Sequence, residues 1–252
     1  MTTDPLDLGF GAAGLHVWVL ALDFIDETGT ERWLDAAERE RALRYSSAAA
    51  RSEFSLTRAA LRLLLGGYLR RAPAAVRIAS AAHGKPVLAD PAPLHFNVSH
   101  TSGVALLAFA ALYEVGIDVE AQRPLPDLAS LVERVFDRRD AAAWSALPEA
   151  DQLAAFYRAW TRKEACAKAS GEGLRADLAS LHVSLGTEPV TTASGRERGS
   201  LWTVQAVALG DHGSTHCAAI ACHGSVAPAL LTRTLNAAAW AALARAASAR
   251  AA

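Results

Sequence analysis

Two carboxylates set into an apolar run are the residues most able to do chemistry here. In Val115-Gly116-Ile117-Asp118-Val119-Glu120 the aliphatic residues alternate with Gly116, Asp118 and Glu120. A strand over this run turns its aliphatic side chains one way and both acids the other. Two positions along a strand span about 6–7 Å, from which a pair of carboxylates can lean toward one cation. A hard ion such as Mg2+, which prefers oxygen ligands and keeps waters and phosphates, suits them. The run carries no Lys, Arg or His to neutralise the acids, and that points to a metal. A half-buried strand edge with two solvated acids shows the same alternation. A third acid lies in a second segment, Phe156-Tyr157-Arg158-Ala159-Trp160-Thr161-Arg162-Lys163-Glu164-Ala165-Cys166-Ala167-Lys168. On a helix Glu164 and Lys168, four apart, reach each other. As an ordinary surface pair they are worth about 0.3–0.5 kcal/mol. The helix runs into Ser170-Gly171-Glu172-Gly173-Leu174, where glycines let backbone approach a ligand closely.

The elements that must position these residues follow from periodicity. Leu15 to Leu22 reads as a buried strand, Asp26 to Thr30 as a turn and Glu31 to Leu43 as a charged helix. Ser46-Ser47 caps a longer helix to about Leu69, with Phe54, Leu61, Leu64, Leu65 and Tyr68 on its core face. Arg51, Arg58 and Arg62 fall on another face, which without a ligand reads as solvated. A strand at Val76 to Ile78 enters the turn His83-Gly84-Lys85-Pro86, which sets Lys85 on a rigid corner. His95 to His100 is a short strand with the polar end Ser99-His100-Thr101-Ser102-Gly103. Hydroxyl, imidazole and free N–H groups gathered there suit a phosphate, and equally a plain turn. Val104 to Leu112 is a continuous apolar strand, with Val115 to Glu120 expected as its hairpin partner across Tyr113-Glu114.

Beyond Arg123-Pro124-Leu125-Pro126, helices are expected over Leu128 to Val135, over Asp137 to Leu147 and from Pro148 onward. Strands are expected at Leu181 to Leu185, Leu201 to Leu209 and Thr215 to Cys222, and an alanine-rich peripheral helix from Pro228 to Ala252. Helices followed by strands occur twice, which suggests two similar α+β lobes.

Composition narrows the classes. With 252 residues, 52% hydrophobic and 20% charged, the chain can bury a substantial core. Lys+Arg 25 against Asp+Glu 26 lacks the basic excess of a nucleic-acid binder. No apolar run is long enough to span a bilayer. Met1 to Leu8 lacks the basic and apolar regions of a secretion signal, so the expected location is cytoplasmic. Cys166, Cys217 and Cys222, odd in number and dispersed, suit reduced thiols. The group Asp211, His212, His216, Cys217, Cys222 and His223 lacks a closely spaced cysteine pair and is not read as a zinc site.

Four of these segments, His83-Gly84-Lys85-Pro86, Phe96-Asn97-Val98-Ser99-His100, Val115 to Glu120 and Trp160 to Lys168, occur in the order and approximate spacing of one family. Together the segments closely resemble the surfactin-type 4'-phosphopantetheinyl transferases, and the likeness extends from about Trp33 to Cys222. The resemblance implies an α+β fold of two pseudo-symmetric lobes, with the active site between them. On this chain the lobes would be residues 14–112 and 113–225, followed by a peripheral helical tail at 226–252. It implies a monomer that moves 4'-phosphopantetheine from coenzyme A to a serine of an apo carrier protein of peptide synthetase, polyketide or fatty-acid systems. No nucleic acid or membrane takes part.

By the same resemblance Asp118, Glu120 and Glu164 hold Mg2+, and Asp118 also contacts coenzyme A. Glu164 is the general base, and Lys168 neutralises the pyrophosphate and assists the leaving group. Ser99 and His100 contact phosphates, His100 the 3'-phosphate, while Lys85 sits near the nucleotide and Arg51 and Arg58 reach the phosphates. Arg41 and Arg44 are candidates for further basic contacts, and Trp160 is a core anchor. Thr161-Arg162 and Cys166 depart from the commoner family residues. The carrier is expected to dock beside Arg123, Pro124 and Leu125. Two other readings use the same residues: a coenzyme A-binding scaffold without transfer, and a metal phosphohydrolase that needs no carrier.

Overall fold

Strand β1 (Gly14–Ala21) is flanked by β10 (Ala229–Leu235), parallel to it, and by β5 (Val104–Ala110), antiparallel. β5 pairs on its other side with β4 (His95–Thr101), giving the order β10-β1-β5-β4. The computed structural model describes residues 14–22, 29–173, 176–195 and 201–251. Met1 to Leu8, most of the expected Asp26 to Thr30 turn, and Leu174 lie outside the described residues. A second sheet has the order β6-β9-β8-β7, from β6 (Val115–Ala121), β7 (Val190–Ser194), β8 (Leu201–Ala206) and β9 (His216–His223). The short strands β2 (Ile78–Ser80) and β3 (Pro86–Leu88) form a separate hairpin around the His83-Gly84 turn.

Each lobe therefore follows one plan: a first strand, helices, then an antiparallel pair whose last strand returns to the first. In the first lobe β1 takes β5, and in the second β6 takes β9. The two sheets face each other across an aliphatic layer that includes Val17, Leu106, Ile117, Val119 and Ile220. The expected β5–β6 hairpin is corrected by this arrangement. Both edges of β5 are taken by β1 and β4, so the chain bends away and β6 starts a new sheet. β5 and β6 meet face to face instead.

Long helices cover the outer faces. α2 (Ala48–Leu69), capped by Ser47, packs Leu56, Leu61, Leu64 and Leu65 against the first sheet, the predicted stripe broadened by its inner neighbours. α1 (Ala36–Leu43) begins with a capping box between Asp35 and Glu38, which satisfies two otherwise orphaned backbone donors. The second sheet is covered by α5 (Glu149–Ser170), with α3 (Leu128–Val135) and α4 (Arg138–Ser145) beside it. Leu181 to Leu185, expected as a strand, contributes an isolated bridge between His182 and Ser194.

The expected peripheral tail is also corrected. Its first part is β10, which covers the outer edge of β1 and so protects an edge that would otherwise be open to pairing. Its second part, α6 (Ala237–Ala251), packs Leu243 and Ala247 into the first lobe's core.

Arg62 is not on a solvated face. It is 1% exposed, pairs with Asp35 and Glu38, and donates to the Pro73 and Val76 carbonyls. Arg62→Ala would strand the half-buried Glu38 and two carbonyls. It should lower unfolding free energy by about 3–5 kcal/mol, read as a drop in the urea midpoint at unchanged slope.

Candidate active site

A missing side chain brings β6 and α5 together. A Cβ on Gly116 would lie 2.0 Å from the Ala165 carbonyl oxygen and 2.3 Å from the Ala169 nitrogen, so only glycine lets the helix sit this close. α5 is an alanine-rich helix with Glu149 and Asp151 in its first turn and Gly171 closing it at φ 81°. Acids favour the positive N-terminal end of a helix, and glycine favours that terminal conformation. The small residues Ala165 and Ala169 face the strand, so Glu164 and Lys168 come down beside Asp118.

The outer edge of β6 is held by side chains of β4. Asn97 accepts from the Ile117 N–H at 3.0 Å, and Ser99 Oγ from the Val119 N–H at 3.4 Å. Asn97 was not read as a site residue, although its spacing of two from Ser99 put both on one face of β4. These two residues join the lobes at the acids.

Asp118 is buried, and one of its oxygens is heavily engaged. Lys168 Nζ donates to Asp118 Oδ1 at 2.6 Å and Ser99 Oγ donates to the same oxygen at 3.0 Å. Lys168 also donates to Ser99 Oγ at 3.0 Å. The expectation that no cation accompanies these acids is thereby corrected: the cation comes from a helix fifty residues on. Lys168 turns to Asp118, and no ion pair with Glu164 forms among the described residues. Ser99 likewise turns to Asp118.

Among the described residues Glu120 accepts only a 3.3 Å bond from Trp160 Nε1, which gives Trp160 a positioning role beyond its stacking on Phe156. Burial, then the Asp118 carboxylate, pushes the Glu120 carboxyl above the usual glutamate range. The same two causes raise Glu164, which has no hydrogen bond or ion pair among the described residues. Asp118 Oδ2 is a buried oxygen without a hydrogen-bond partner among the described residues. Three carboxylates thus lie about the Lys168 ammonium, with Arg123 also acting on Glu120, and both the orphaned oxygen and the two raised carboxyls fit a hard divalent cation.

These oxygens are not gathered into a tight ligand set. Among the described residues the group whose ligand atoms all lie within 4.8 Å is Asp137, Asp140 and His182. There the Lys163 ammonium, 3.4 Å from Asp140, already supplies positive charge. Lys163 is 0% exposed and also donates to the Val135 and Leu178 carbonyls. It anchors the middle of α5 to the end of α3 and to the turn at Leu178.

Other expected site residues lie around this centre. His100 is exposed at the end of β4. Arg51 is exposed on α2, while Arg58 is half-buried and stacks at 5.7 Å over Phe54, which Arg41 covers at 5.1 Å. Glu53 accepts from the Gly103 N–H at 3.3 Å, bringing the start of α2 to the turn after His100. Lys85 is engaged elsewhere, by Glu114 at 2.8 Å and the Ala169 carbonyl at 3.3 Å. Cys217 and Cys222 lie towards opposite ends of β9.

A pH dependence follows from the two raised carboxyls. Each is more easily protonated folded than unfolded, so its contribution to stability is present below the ordinary glutamate pKa. It is lost as pH rises through the raised value. Without divalent cations, Glu164→Gln should gain thermal stability over wild type as pH increases across that window. The difference should vanish at lower pH. Melting curves at several pH values measure it.

A family model described as the 4'-phosphopantetheinyl transferase superfamily matches residues 114–221, the stretch that contains Asp118, Glu120, Glu164 and Lys168. The chain is 36% identical over 191 residues to the 4'-phosphopantetheinyl transferase HetI of Nostoc sp., covering 73% of this chain and 80% of that protein. It is 29% identical over 167 residues to the 4'-phosphopantetheinyl transferase Sfp of Bacillus subtilis, covering 62% of this chain and 73% of that protein. With AcpT of Salmonella typhimurium, of the same name, identity is 43% over 88 residues, 35% of this chain and 46% of that one. The two-lobed α+β fold, the acid cluster where the lobes meet and these likenesses agree: the chain belongs to the 4'-phosphopantetheinyl transferase superfamily.

Proposed function

We propose that this chain carries out the family reaction at the Asp118–Glu120–Glu164 cluster, in the two-lobed, monomeric form of the surfactin type. The 4'-phosphopantetheine group of coenzyme A passes to a serine of an apo carrier protein. The serine oxygen forms the new bond to phosphorus, the diphosphate linkage breaks, and adenosine 3',5'-bisphosphate leaves. The observation that carries this reading is the meeting of β6 and α5, which brings Glu120, Glu164 and the Lys168 ammonium to Asp118, whose buried Oδ2 has no hydrogen-bond partner among the described residues.

Asp118, Glu120 and Glu164 would hold Mg2+, which when bound offsets negative charge on the diphosphate. Glu164, raised and without a hydrogen bond or ion pair among the described residues, takes the serine proton. Lys168 donates to a phosphate oxygen and stabilises the departing bisphosphate, a task suited to a mobile point charge. Ser99 orients Asp118 and Lys168. His100, Arg51 and Arg58, together with Lys85, form the basic surround for the nucleotide phosphates.

We assign the lobes to residues 14–112 and 113–225, with 229–251 added to the first. A cytoplasmic location accords with three free cysteines and with the lack of any described helix long and apolar enough to cross a membrane. Incubation with coenzyme A, Mg2+ and apo carriers from peptide synthetase, polyketide and fatty-acid systems, followed by intact-mass measurement, tests the reaction. A serine adduct supports it. Phosphopantetheine released without a carrier would favour hydrolysis.

Carrier docking is assigned to the segment after β6. Tyr157 holds the Arg123 backbone at both ends, accepting from its N–H at 3.3 Å and donating to its carbonyl at 3.1 Å, and the Arg123 side chain is exposed. Arg123→Glu should raise KM for an acidic carrier about tenfold, a loss near 1.4 kcal/mol, while coenzyme A affinity stays unchanged. Unaltered carrier kinetics would refute the assignment.

A further inference from the structure

Asp118 has two unequal oxygens. Oδ1 receives both Lys168 and Ser99, and Oδ2, although buried, receives no hydrogen bond among the described residues. Lys168 in turn spends two of its three donors on Asp118 and Ser99. Its side chain is 26% exposed, against 5% for Asp118, so the ammonium lies on the open side of a carboxylate that is itself fixed. A four-carbon stem can swing without moving the helix backbone. A divalent ion on the same carboxylate would stand next to this ammonium, and in a half-buried setting their repulsion is poorly screened. Both positive groups cannot be held at Asp118 with full strength.

From this we infer that Lys168 competes with the divalent cation for Asp118, and that a coenzyme A phosphate resolves the competition by drawing the ammonium away. Lys168 is thus a coupling residue as well as a phosphate contact. The inference rests on the proposed acid site and adds the binding logic: the cation binds weakly until coenzyme A arrives. Linkage then requires the cation to tighten coenzyme A by the same factor. It also gives Ser99 a purpose, since its hydroxyl holds the ammonium and the carboxylate in register while they are paired.

Titration with Mn2+, followed by isothermal calorimetry and by the electron paramagnetic resonance of the free ion, tests this with and without coenzyme A. Wild type should bind Mn2+ weakly alone and at least tenfold more tightly with coenzyme A. Lys168→Met should bind Mn2+ alone about tenfold more tightly than wild type, and coenzyme A should then add less. Lys168→Arg, which keeps the charge, should stay as weak as wild type without coenzyme A. Should the methionine variant fail to fold, Lys168→Gln answers the same question.

Competition is overturned if the uncharged variants bind Mn2+ alone no better than wild type, or if the arginine variant binds as tightly as they do. Normal transfer by wild type alongside either result would leave the proposed function intact. Absence of Mn2+ binding in every protein, with and without coenzyme A, would sink the metal site and the competition together.

Discussion

Glu164→Gln is expected to lower kcat for carrier modification by about 10²–10⁴-fold, the range for loss of a positioned general base. The glutamine keeps the size of the side chain and one oxygen toward the acid cluster, but it cannot take a proton. Glu164 makes no hydrogen bond or ion pair among the described residues and its carboxyl is raised by burial and by Asp118, so the fold should survive the change. Melting temperature therefore serves as the control: activity should collapse while stability holds or improves. The measurement is the rate at which an apo carrier gains the phosphopantetheine mass, with coenzyme A binding followed separately. A variant that retained more than about a tenth of the wild-type kcat would remove Glu164 from the role of base.

Gly116→Leu is expected to damage both stability and catalysis, through a different cause. Its Cβ alone would sit 2.0 Å from a backbone oxygen and 2.3 Å from a backbone nitrogen of α5. Backbone inside a packed helix cannot rotate aside as a side-chain tip can, so the helix must retreat by about 1 Å or more. Overpacking of this kind commonly costs about 1–3 kcal/mol and sometimes more. The retreat also carries Glu164 and Lys168 away from Asp118, and a misplacement near 1 Å can cost about 10²-fold in rate. Activity per folded molecule, measured after correcting for the unfolded fraction, should therefore fall steeply. Gly116→Ala should show the same pattern more weakly. Full specific activity in either variant would show that the helix–strand approach does not set the site.

Much of this was legible in the residues themselves. Alternation in Val115 to Glu120 put Asp118 and Glu120 on one strand, a spacing of four put Glu164 and Lys168 on one helix, and Ser47 and the leucines of α2 fixed a long amphipathic helix. Local periodicity records such features because each concerns a side chain and its own backbone. The motifs Lys85-Pro86, Ser99-His100, Asp118-Val119-Glu120 and Lys163-Glu164 sufficed to point to the family and its chemistry.

Partnership was another matter. Which edge β6 would take depended on β5 having none left, a consequence of β1 and β4 rather than of any residue near position 115. The tail looked peripheral because alanine is uninformative about burial, yet β10 and Leu243 are drawn in by the open edge and core of the first lobe. Arg62 had the appearance of a solvated charge and is a buried anchor, and Lys163 is another, because acids and carbonyls supplied by other segments surround them. Sequence by itself determined most of the elements, the acids and the family. Tertiary structure alone decided that Lys168 answers Asp118 instead of Glu164, since an ammonium takes the nearest buried carboxylate in space and not the nearest along its helix.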